Sequence, residues 1–168
     1  MMELKAENIT FSYNKKRQIL KDVSLTLPSD KIIGLIGDSG SGKSTLCKIL
    51  AGYIPKYKGN VTLDGQKIPD KDFYPVQLIF QHPEKTMNPK WKMDKVLNES
   101  WTVTQDLKDT FGLKDMWLTR WPSELSGGEL QRFSILRALN PETKFIIADE
   151  ISTMLDAVTQ VQIWEKLI

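Results

Sequence analysis

The chain has 168 residues, of which 40% are hydrophobic and 26% charged, an ordinary composition for one globular domain with its own core. Its net charge of +2 at pH 7 gives no strong field to attract nucleic acid or a bare anionic membrane. The single cysteine, Cys47, excludes an intramolecular disulfide, and no segment resembles a signal peptide or approaches the ~20 apolar residues of a membrane span, so we expect a soluble, cytosolic protein.

The first elements alternate between strand and helix patterns. Residues 3 to 13 alternate in polarity and predict a strand, and Val23 to Leu27 predict a second one. The apolar run from Lys31 to Ile36 predicts a short strand that leads directly into glycines. A helix is predicted from Lys43 to about Ala51, where Gly52 provides a C-terminal stop.

A hairpin and a further strand come next. Asp64 and Gly65 lie between two short β-prone runs, Val61 to Leu63 and Gln66 to Ile68, which predicts a tight β-hairpin. The apolar run from Val76 to Phe80 predicts another strand.

The second half is predicted to begin with helices. Residues 82 to 124 show helix-like spacing with prolines at the edges, and a helix is predicted from about Gly127 to Leu139, before Pro141. Phe145 to Ala148 predict a buried strand, and Ala157 to Ile168 predict a last helix. Strands that alternate with helices indicate a three-layer α/β domain with a largely parallel sheet, beside which the early strands and the hairpin form an antiparallel side-sheet.

A glycine-rich segment between a predicted strand and a predicted helix matches a phosphate-binding loop. It consists of Gly37, Asp38, Ser39, Gly40, Ser41, Gly42, Lys43, Ser44 and Thr45. Glycines let the backbone turn its N–H groups toward phosphate oxygens, and the helix N-terminus favours anions. The Lys43 ammonium can reach the β- and γ-phosphates, Ser44 can ligate Mg²⁺, and Thr45 can support the α-phosphate. The alternative is a plain Gly/Ser turn before a helix.

Two acidic residues follow the predicted strand at Phe145 to Ala148. Asp149 at the strand end can hold Mg²⁺ through water near the phosphate loop, and Glu150 can orient or deprotonate an attacking water. The alternative is a pair of solvated acids, which the upstream phosphate loop disfavours.

A third motif, Leu125-Ser126-Gly127-Gly128-Glu129 followed by Leu130-Gln131-Arg132, marks a second helix start with uncovered N–H groups. Ser126 and Glu129 also have the spacing of a capping box. A capping box alone does not explain two glycines in the first turn, where they weaken a helix, and both interpretations can hold together.

Together these motifs resemble the ABC ATPase family, in their order and over nearly the whole chain. The resemblance implies a P-loop NTPase core with an antiparallel β side-sheet and a mainly helical insert. It implies one domain over 1–168, with the nucleotide-binding core at 1–81 and 141–168 and the helical subdomain at 82–140.

The resemblance also implies further nucleotide-site residues. Tyr13 matches the aromatic residue that stacks on adenine, although it could equally be a half-buried strand tyrosine. Gln81 matches the glutamine that senses Mg²⁺ and the γ-phosphate, although a polar strand end is the alternative. Asp156 matches a loop at the dimer interface, or caps the tail helix. The serine and glycines of the signature motif would face the nucleotide of a partner domain.

The partners implied are integral membrane permeases, a second ABC ATPase subunit, identical or different, and, indirectly, an extracytoplasmic binding protein; no nucleic acid is expected. The ligands implied are ATP and Mg²⁺, and the place is the inner face of the cell membrane. The activity implied is ATP hydrolysis that powers import. Phe80-Gln81-His82-Pro83, the pair Asn88-Pro89 and the segment 154–164 resemble the branch that imports peptides, nickel and metal-chelator complexes.

Three departures from the family pattern are visible. Glu129 stands where many members have glutamine, and Ile151 where proline is common. Family members continue past the end of this sequence to a histidine that contacts the γ-phosphate, and His82, the only histidine here, cannot be that residue. We therefore expect a C-terminally truncated domain in which ATP binding survives better than turnover.

Two other functions stay open at this point. One is an ABC ATPase of DNA repair or translation, which typically carries a coiled-coil insertion, zinc cysteines or a second ATPase domain. The other is a regulatory module that binds ATP without hydrolysing it.

Overall fold

The computed structural model describes residues 2–14, 17–69, 73–151, 160–161 and 164–165. These residues form two compact units, one within Met1–Leu78 and Lys144–Ile147, the other within Ile79–Thr143 and Ala148–Ile168. In this part of the chain, no helix combines the length and the apolar character needed to cross a bilayer.

An antiparallel sheet dominates the first unit, with its strands in the order β2-β1-β3-β4. The strands are β1 (Glu3–Phe11), β2 (Leu20–Pro28), β3 (Lys58–Leu63) and β4 (Gln66–Lys67). On β1 the alternate residues Leu4 and Ala6 are fully buried, as the alternating pattern predicts. The antiparallel side-sheet expected from the sequence is therefore confirmed.

The pairing of β1 with its neighbours is irregular around Asn8. Asn8 and Asp22 both adopt positive φ angles, of 54° and 51°, and the Asn8 amide donates a 2.8 Å hydrogen bond to the Asp22 carboxylate. Opposite them Gly59 has a φ of 99°, and an added Cβ there would lie only 2.7 Å from the carbonyl oxygen of Asn8. Glycine is therefore required where β3 passes this bulge.

The turn from β3 to β4 confirms the predicted hairpin. Asp64 and Gly65 both have positive φ angles, of 49° and 74°, which is the backbone that a two-residue turn of the I′ type needs. The Asp64 carboxylate also accepts a 2.7 Å hydrogen bond from the backbone N–H of Glu3, which ties the turn to the start of β1.

Helix α1 (Lys43–Leu50) begins and ends where the sequence predicts. At its end Gly52 has a φ of 76°. The N–H of Gly52 donates to the carbonyl of Ile49 at 3.1 Å, and the N–H of Tyr53 donates to that of Lys48 at 2.8 Å. These two bonds form a Schellman motif, so glycine stops the helix at this point.

A second, two-stranded sheet consists of β5 (Val76–Ile79) and β6 (Phe145–Ala148). The N–H of Lys144 donates to the carbonyl of Pro75, and the N–H of Asp149 donates to the carbonyl of Ile79. The residue numbers of the two strands therefore increase in the same direction, so the strands run parallel. Both strands were predicted, but β6 was expected to be buried, and its Ile146 is 38% exposed.

The strand predicted from Lys31 to Ile36 is wrong for this structure. Residues 32–38 carry no strand pairing, and Ile36 is 94% exposed. A run of β-branched residues becomes a strand only where a neighbouring strand supplies hydrogen bonds and cover, and none of the described strands pairs with this segment.

The second unit is mainly helical, as the sequence predicts for the insert. Its elements are a 3₁₀ turn at Pro83–Thr86, α2 (Met93–Leu97), α3 (Gln105–Thr110), α4 (Asp115–Leu118), a 3₁₀ turn at Pro122–Glu124 and α5 (Gly127–Ala138). One apolar core joins them, with Met93, Leu97, Phe133, Ile135 and Leu136 fully buried. The predicted tail helix lies largely outside the described residues, of which 160–161 and 164–165 are helical.

Candidate functional site

The phosphate-loop motif forms a turn that leads into α1. The N–H of Ser41 donates to the carbonyl of Asp38 at 3.2 Å, and Gly40 adopts a φ of 76°. Gly42, with a φ of 101°, is the N-cap of α1 and provides no side-chain cap. A glycine cap cannot occupy the N–H groups of the first turn, so the start of this helix can present them to an anion.

Two glycines of this loop have different surroundings. A Cβ on Gly42 would lie 2.9 Å from a methyl group of Leu20 and 3.3 Å from the carbonyl oxygen of Ile19, so the loop is packed closely against the start of β2. A Cβ on Gly40 would meet no atom within 4 Å. The loop is therefore anchored on one side and open on the other.

Lys43 places its charge over this loop. Its Nζ atom donates hydrogen bonds to the carbonyl oxygens of Gly37, at 2.6 Å, and Asp38, at 2.8 Å. These two bonds leave the third N–H of the ammonium for a further acceptor. An ammonium group held across a turn of backbone amides is a suitable site for phosphate oxygens.

Tyr13 and Thr45 lie together in the same unit. The Tyr13 hydroxyl and Thr45 Oγ1 are 3.4 Å apart, while Tyr13 is 61% exposed and its ring makes an edge contact with Phe11. The sequence offered two interpretations of Tyr13, and the exposed ring differs from a half-buried strand tyrosine. Its position near α1 is compatible with stacking on a nucleotide base.

In the second unit, Asp149 and Glu150 follow β6 directly. The N–H of Asp149 continues the strand pairing by donating to Ile79, at 3.1 Å. At Glu150 the φ angle is 53°, a left-handed conformation that costs a non-glycine residue roughly 1–2 kcal/mol. The chain therefore turns sharply after Asp149, so the two carboxylates do not continue the strand alternation.

Gln81 lies at the end of β5 and contacts the second of these acids. Its Nε2 atom donates a 2.8 Å hydrogen bond to Oε2 of Glu150. Because the amide nitrogen is used in this bond, its oxygen, Oε1, is the atom with which Gln81 can ligate a metal. The exposed carboxylate of Glu150 is thereby held in one orientation.

The signature motif begins α5 and forms a complete capping box. The hydroxyl of Ser126 accepts from the N–H of Glu129 at 3.3 Å, and the Glu129 carboxylate accepts from the N–H of Ser126 at 2.7 Å. Gly127 and Gly128 occupy the first two helical positions. The capping interpretation is therefore correct. Because Gly127 and Gly128 have no side chains, their N–H groups are not shielded by side chains of the same residues.

The three predicted magnesium ligands are each chemically suited to that ion. Ser44, in the first unit, has a hydroxyl oxygen, and Gln81 and Asp149, in the second, have amide and carboxylate oxygens; oxygen atoms are the hard ligands that Mg²⁺ prefers. Among the described residues, no group of three or more His, Cys, Asp or Glu side chains could hold a metal. Such a donor set suits an ion that is bound mainly through nucleotide phosphates and water, with one or two protein ligands.

The structure thus brings together three sets of predicted residues: Lys43 with the phosphate loop, Tyr13 with Thr45, and Gln81 with Glu150. Asp156 lies outside the described residues. That all these residues act on one nucleotide stays a prediction.

Sequence alone assigns no role to Gln131. In the structure it is fully buried, and its Nε2 atom donates to the carbonyl oxygen of Phe80 at 3.4 Å. A signal was available, because Gln131 lies among the apolar residues of α5, between Leu130 and Phe133.

The family described as "ABC transporter" matches residues 20–153 of the chain. A relative from Staphylococcus aureus (strain bovine RF122 / ET3-1), "Nickel import system ATP-binding protein NikE", is 37% identical over 174 residues, and the match covers 95% of this chain and 70% of the relative. The protein of the same description from strain N315 is 36% identical over 173 residues, with the same coverage.

Among solved structures, the ATP-binding cassette MJ0796, in a dimeric post-hydrolysis state bound to ADP and Pi, has a TM-score of 0.79 and 25% identity. The match covers 98% of this chain and 81% of that one. A bacterial Atm1-family ABC exporter with ATP bound has a TM-score of 0.81 at 20% identity, covering 98% of this chain and 32% of that one, and it supports the fold alone. The α/β fold class expected from the sequence is confirmed by these likenesses.

Proposed function

Because the chain belongs to the ABC transporter family, we propose that it is the ATP-hydrolysing subunit of an importer that takes up nickel, a nickel-chelator complex or peptides. The observation that carries this proposal is the Lys43 ammonium, hydrogen-bonded across the phosphate loop to Gly37 and Asp38, at the uncapped start of α1. A cation and a helix N-terminus in that arrangement form a binding site for the triphosphate of ATP.

The nucleotide is held by Tyr13 and by the phosphate loop. Lys43 binds the β- and γ-phosphates, Thr45 supports the α-phosphate, and Tyr13 stacks on the adenine ring. The loop amides complete the phosphate contacts through Gly37, Ser39, Gly40, Ser41 and Gly42. The exposed ring of Tyr13 and its contact with Thr45 support this assignment.

Hydrolysis depends on the residues that follow β5 and β6. Ser44, Asp149 and Gln81 would hold Mg²⁺, directly or through water. A bound ion would supply positive charge beside the phosphate oxygens of the nucleotide. Glu150 orients and deprotonates the attacking water, while the amide of Gln81 holds the Glu150 carboxylate in place. Lys43 stabilises the negative charge of the transferred phosphoryl group.

The cargo assignment rests on the relatives. The two Staphylococcus aureus proteins are described as parts of a nickel import system and share 36–37% of their residues with this chain. The sequence around the pair Asn88-Pro89 supports the same branch, which also includes peptide importers. Relatives from a transport system favour import over the DNA-repair and translation alternatives.

The subunit works with other proteins at the membrane. Integral permeases form the pathway, an extracytoplasmic binding protein delivers the cargo, and this chain acts on the cytoplasmic face. Two ATPase subunits pair, so that Ser126, Gly127 and Gly128 of one reach the nucleotide of the other. The uncovered N–H groups at the start of α5 support this role. We propose one functional domain over 1–168, with a core at 1–81 and 141–168 and a helical subdomain at 82–140.

Uptake of radioactive nickel tests the importer role. In the organism that carries the gene, its disruption is expected to abolish uptake at low nickel concentration, and the complete wild-type gene, but not its Lys43→Ala variant, should restore it. Uptake of a labelled dipeptide in the same cells separates the two cargo classes. Unchanged uptake of both cargoes after disruption, or equal restoration by the Lys43→Ala gene, would contradict the proposal.

A further inference from the structure

Gln131 is a fully buried polar residue on the face of α5 that packs into the apolar core. Burying a side-chain amide is unfavourable unless its polar atoms are hydrogen-bonded. Its Nε2 atom donates to the carbonyl oxygen of Phe80, whereas its Oε1 atom contacts no donor among the described residues. An apolar residue at this position would avoid that cost, so the contact that the amide makes is the feature to explain.

The bond from Gln131 acts on the peptide that precedes Gln81. The carbonyl of Phe80 and the N–H of Gln81 belong to one planar peptide unit, so fixing the carbonyl oxygen fixes the orientation of that plane. The Gln81 side chain extends from this plane to Glu150, at 2.8 Å. Gln131, the Phe80–Gln81 peptide and the Gln81 side chain therefore connect α5 to the Glu150 carboxylate.

The same helix holds the far end of this segment. Arg137, in the last turn of α5, donates from Nη1 to the carbonyl oxygen of Thr86 at 3.3 Å, and its Nη2 atom pairs with Glu99. One helix thus contacts both ends of the segment from Phe80 to Thr86. The segment that carries Gln81 is therefore hydrogen-bonded to α5 near both of its ends.

We propose that Gln131 is a positioning residue for ATP hydrolysis, which holds the Phe80 carbonyl so that the amide of Gln81 stays on Glu150. The inference rests on the proposed function, in which Gln81 and Glu150 serve the hydrolytic step. At 3.4 Å the bond from Gln131 is at the long end of the useful range, so small shifts of α5 strengthen or break it. The helix that begins with the signature motif thereby controls the orientation of Glu150.

The side-chain amide signal of Gln81 provides a test that does not require turnover. In the full chain labelled with ¹⁵N at glutamine side chains, the signal that disappears in Gln81→Ala identifies Gln81. We expect Gln131→Met, which keeps the volume and removes the amide, to shift this signal toward that of a free amide. Gln105→Met, which removes an exposed amide on α3, should leave it unchanged.

Kinetics distinguish positioning from a purely structural role. Loss of orientation should lower kcat by about tenfold to a hundredfold, because misplacing a reacting group carries a cost of that order. The KM for ATP should stay within about twofold of the wild-type value, since Gln131 contributes no contact to substrate binding. A thermal melt confirms that each variant is folded at the assay temperature.

A conservative variant adds a pH signature. In Gln131→Glu, the carboxyl group can donate to the Phe80 carbonyl only when it is protonated, and burial raises the pKa of a glutamic acid. The Gln81 signal and the kcat of this variant should therefore approach the wild-type values at about pH 6 and depart from them above about pH 8. The wild-type signal, recorded at each pH, is the reference from which this pH-dependent difference is taken.

The outcomes separate this inference from the proposed function. An unchanged Gln81 signal in folded Gln131→Met overturns the inference; if that variant does not fold, a Gln81 signal in Gln131→Glu that is independent of pH overturns it. A different outcome is that the wild-type chain hydrolyses no ATP although the Gln81 signal shifts in Gln131→Met. That result contradicts the proposed hydrolysis and supports the inferred effect of Gln131 on Gln81.

Discussion

The Nε2 atom of Gln81 lies 2.8 Å from Oε2 of Glu150, a hydrogen bond that connects residues 69 positions apart in the sequence. The carboxylate that we assign as general base is thus oriented by Gln81, which is itself a predicted residue of the nucleotide site. Glu150 adopts a left-handed backbone conformation with a φ of 53°, which turns it away from the course of β6. A contact and a backbone turn together determine where this carboxylate lies.

Glu150→Gln is predicted to stop hydrolysis and to preserve ATP binding. The amide oxygen of the new side chain can still accept from Gln81, so the local geometry is kept, but the amide cannot take a proton from water. Turnover should fall by about 10²- to 10⁴-fold, the usual contribution of a general base. Phosphate release measures turnover, and calorimetric titration with Mg-ATP should give an affinity within about threefold of the wild-type value.

Glu142→Gln is the matched control, because it removes an exposed carboxylate three residues before the start of β6 and should leave turnover unchanged. Wild-type turnover in Glu150→Gln would exclude Glu150 from the catalytic step.

Tyr13→Ala is predicted to weaken ATP binding through loss of base stacking. Stacking of a base on an aromatic ring contributes about 1–3 kcal/mol, so the affinity should fall by roughly five- to a hundredfold. Tyr13→Phe keeps the ring and removes only the hydroxyl near Thr45, and should bind nearly as the wild type does. Tripolyphosphate, which has no base, should bind Tyr13→Ala and wild type equally; a parallel loss for both ligands would point to a distorted loop instead.

Ser126→Asp separates the capping role of this serine from a role in phosphate contact. Aspartate caps helices as well as serine does, so the thermal midpoint should be retained, but its negative charge opposes the nucleotide of a partner copy. Analytical ultracentrifugation of the Glu150→Gln protein in Mg-ATP measures the affinity between two copies. Adding Ser126→Asp should weaken this affinity by at least about tenfold. Ser126→Asn, a neutral cap, should pair better than Ser126→Asp. Equal pairing of both variants would make Ser126 a cap only.

Gly59→Ala is predicted to destabilise the first unit more than Gly65→Ala does. Both glycines have positive φ angles, so both substitutions carry a conformational cost of roughly 1–2 kcal/mol. At Gly59 the added methyl group also meets the backbone of Glu7 and Asn8, whereas at Gly65 no atom lies within 4 Å. Urea unfolding should show an additional loss of at least about 1–2 kcal/mol for Gly59→Ala. Equal losses would show that β3 can move away from the bulge.

Features set by local chemistry were predictable from the sequence. Gly52 stops α1, Asp64 and Gly65 form the hairpin turn, and Ser126 caps α5, because each depends on residues only a few positions apart. The phosphate loop belongs to the same class, since its glycines and Lys43 act within nine consecutive residues.

Features that depend on distant partners were not predictable in the same way. The apolar run from Lys31 to Ile36 has the composition of a strand, but composition cannot tell whether a neighbouring strand pairs with it. Likewise, nothing local indicates that Gln131 contacts the carbonyl of Phe80, 51 positions earlier. Such contacts are set by how the helices pack on their common core.

The most direct test of the central claim is calorimetric titration of the full, folded chain with Mg-ATP. We predict saturable binding of one nucleotide per chain, which Lys43→Ala weakens by about ten- to a hundredfold, since a charge-assisted hydrogen bond contributes roughly 1.5–3 kcal/mol. Lys48→Ala, in the last turn of the same helix, should bind as the wild type does. No saturable heat with folded wild-type protein, or equal affinities for wild type and Lys43→Ala, would contradict the assignment of this loop as the nucleotide site.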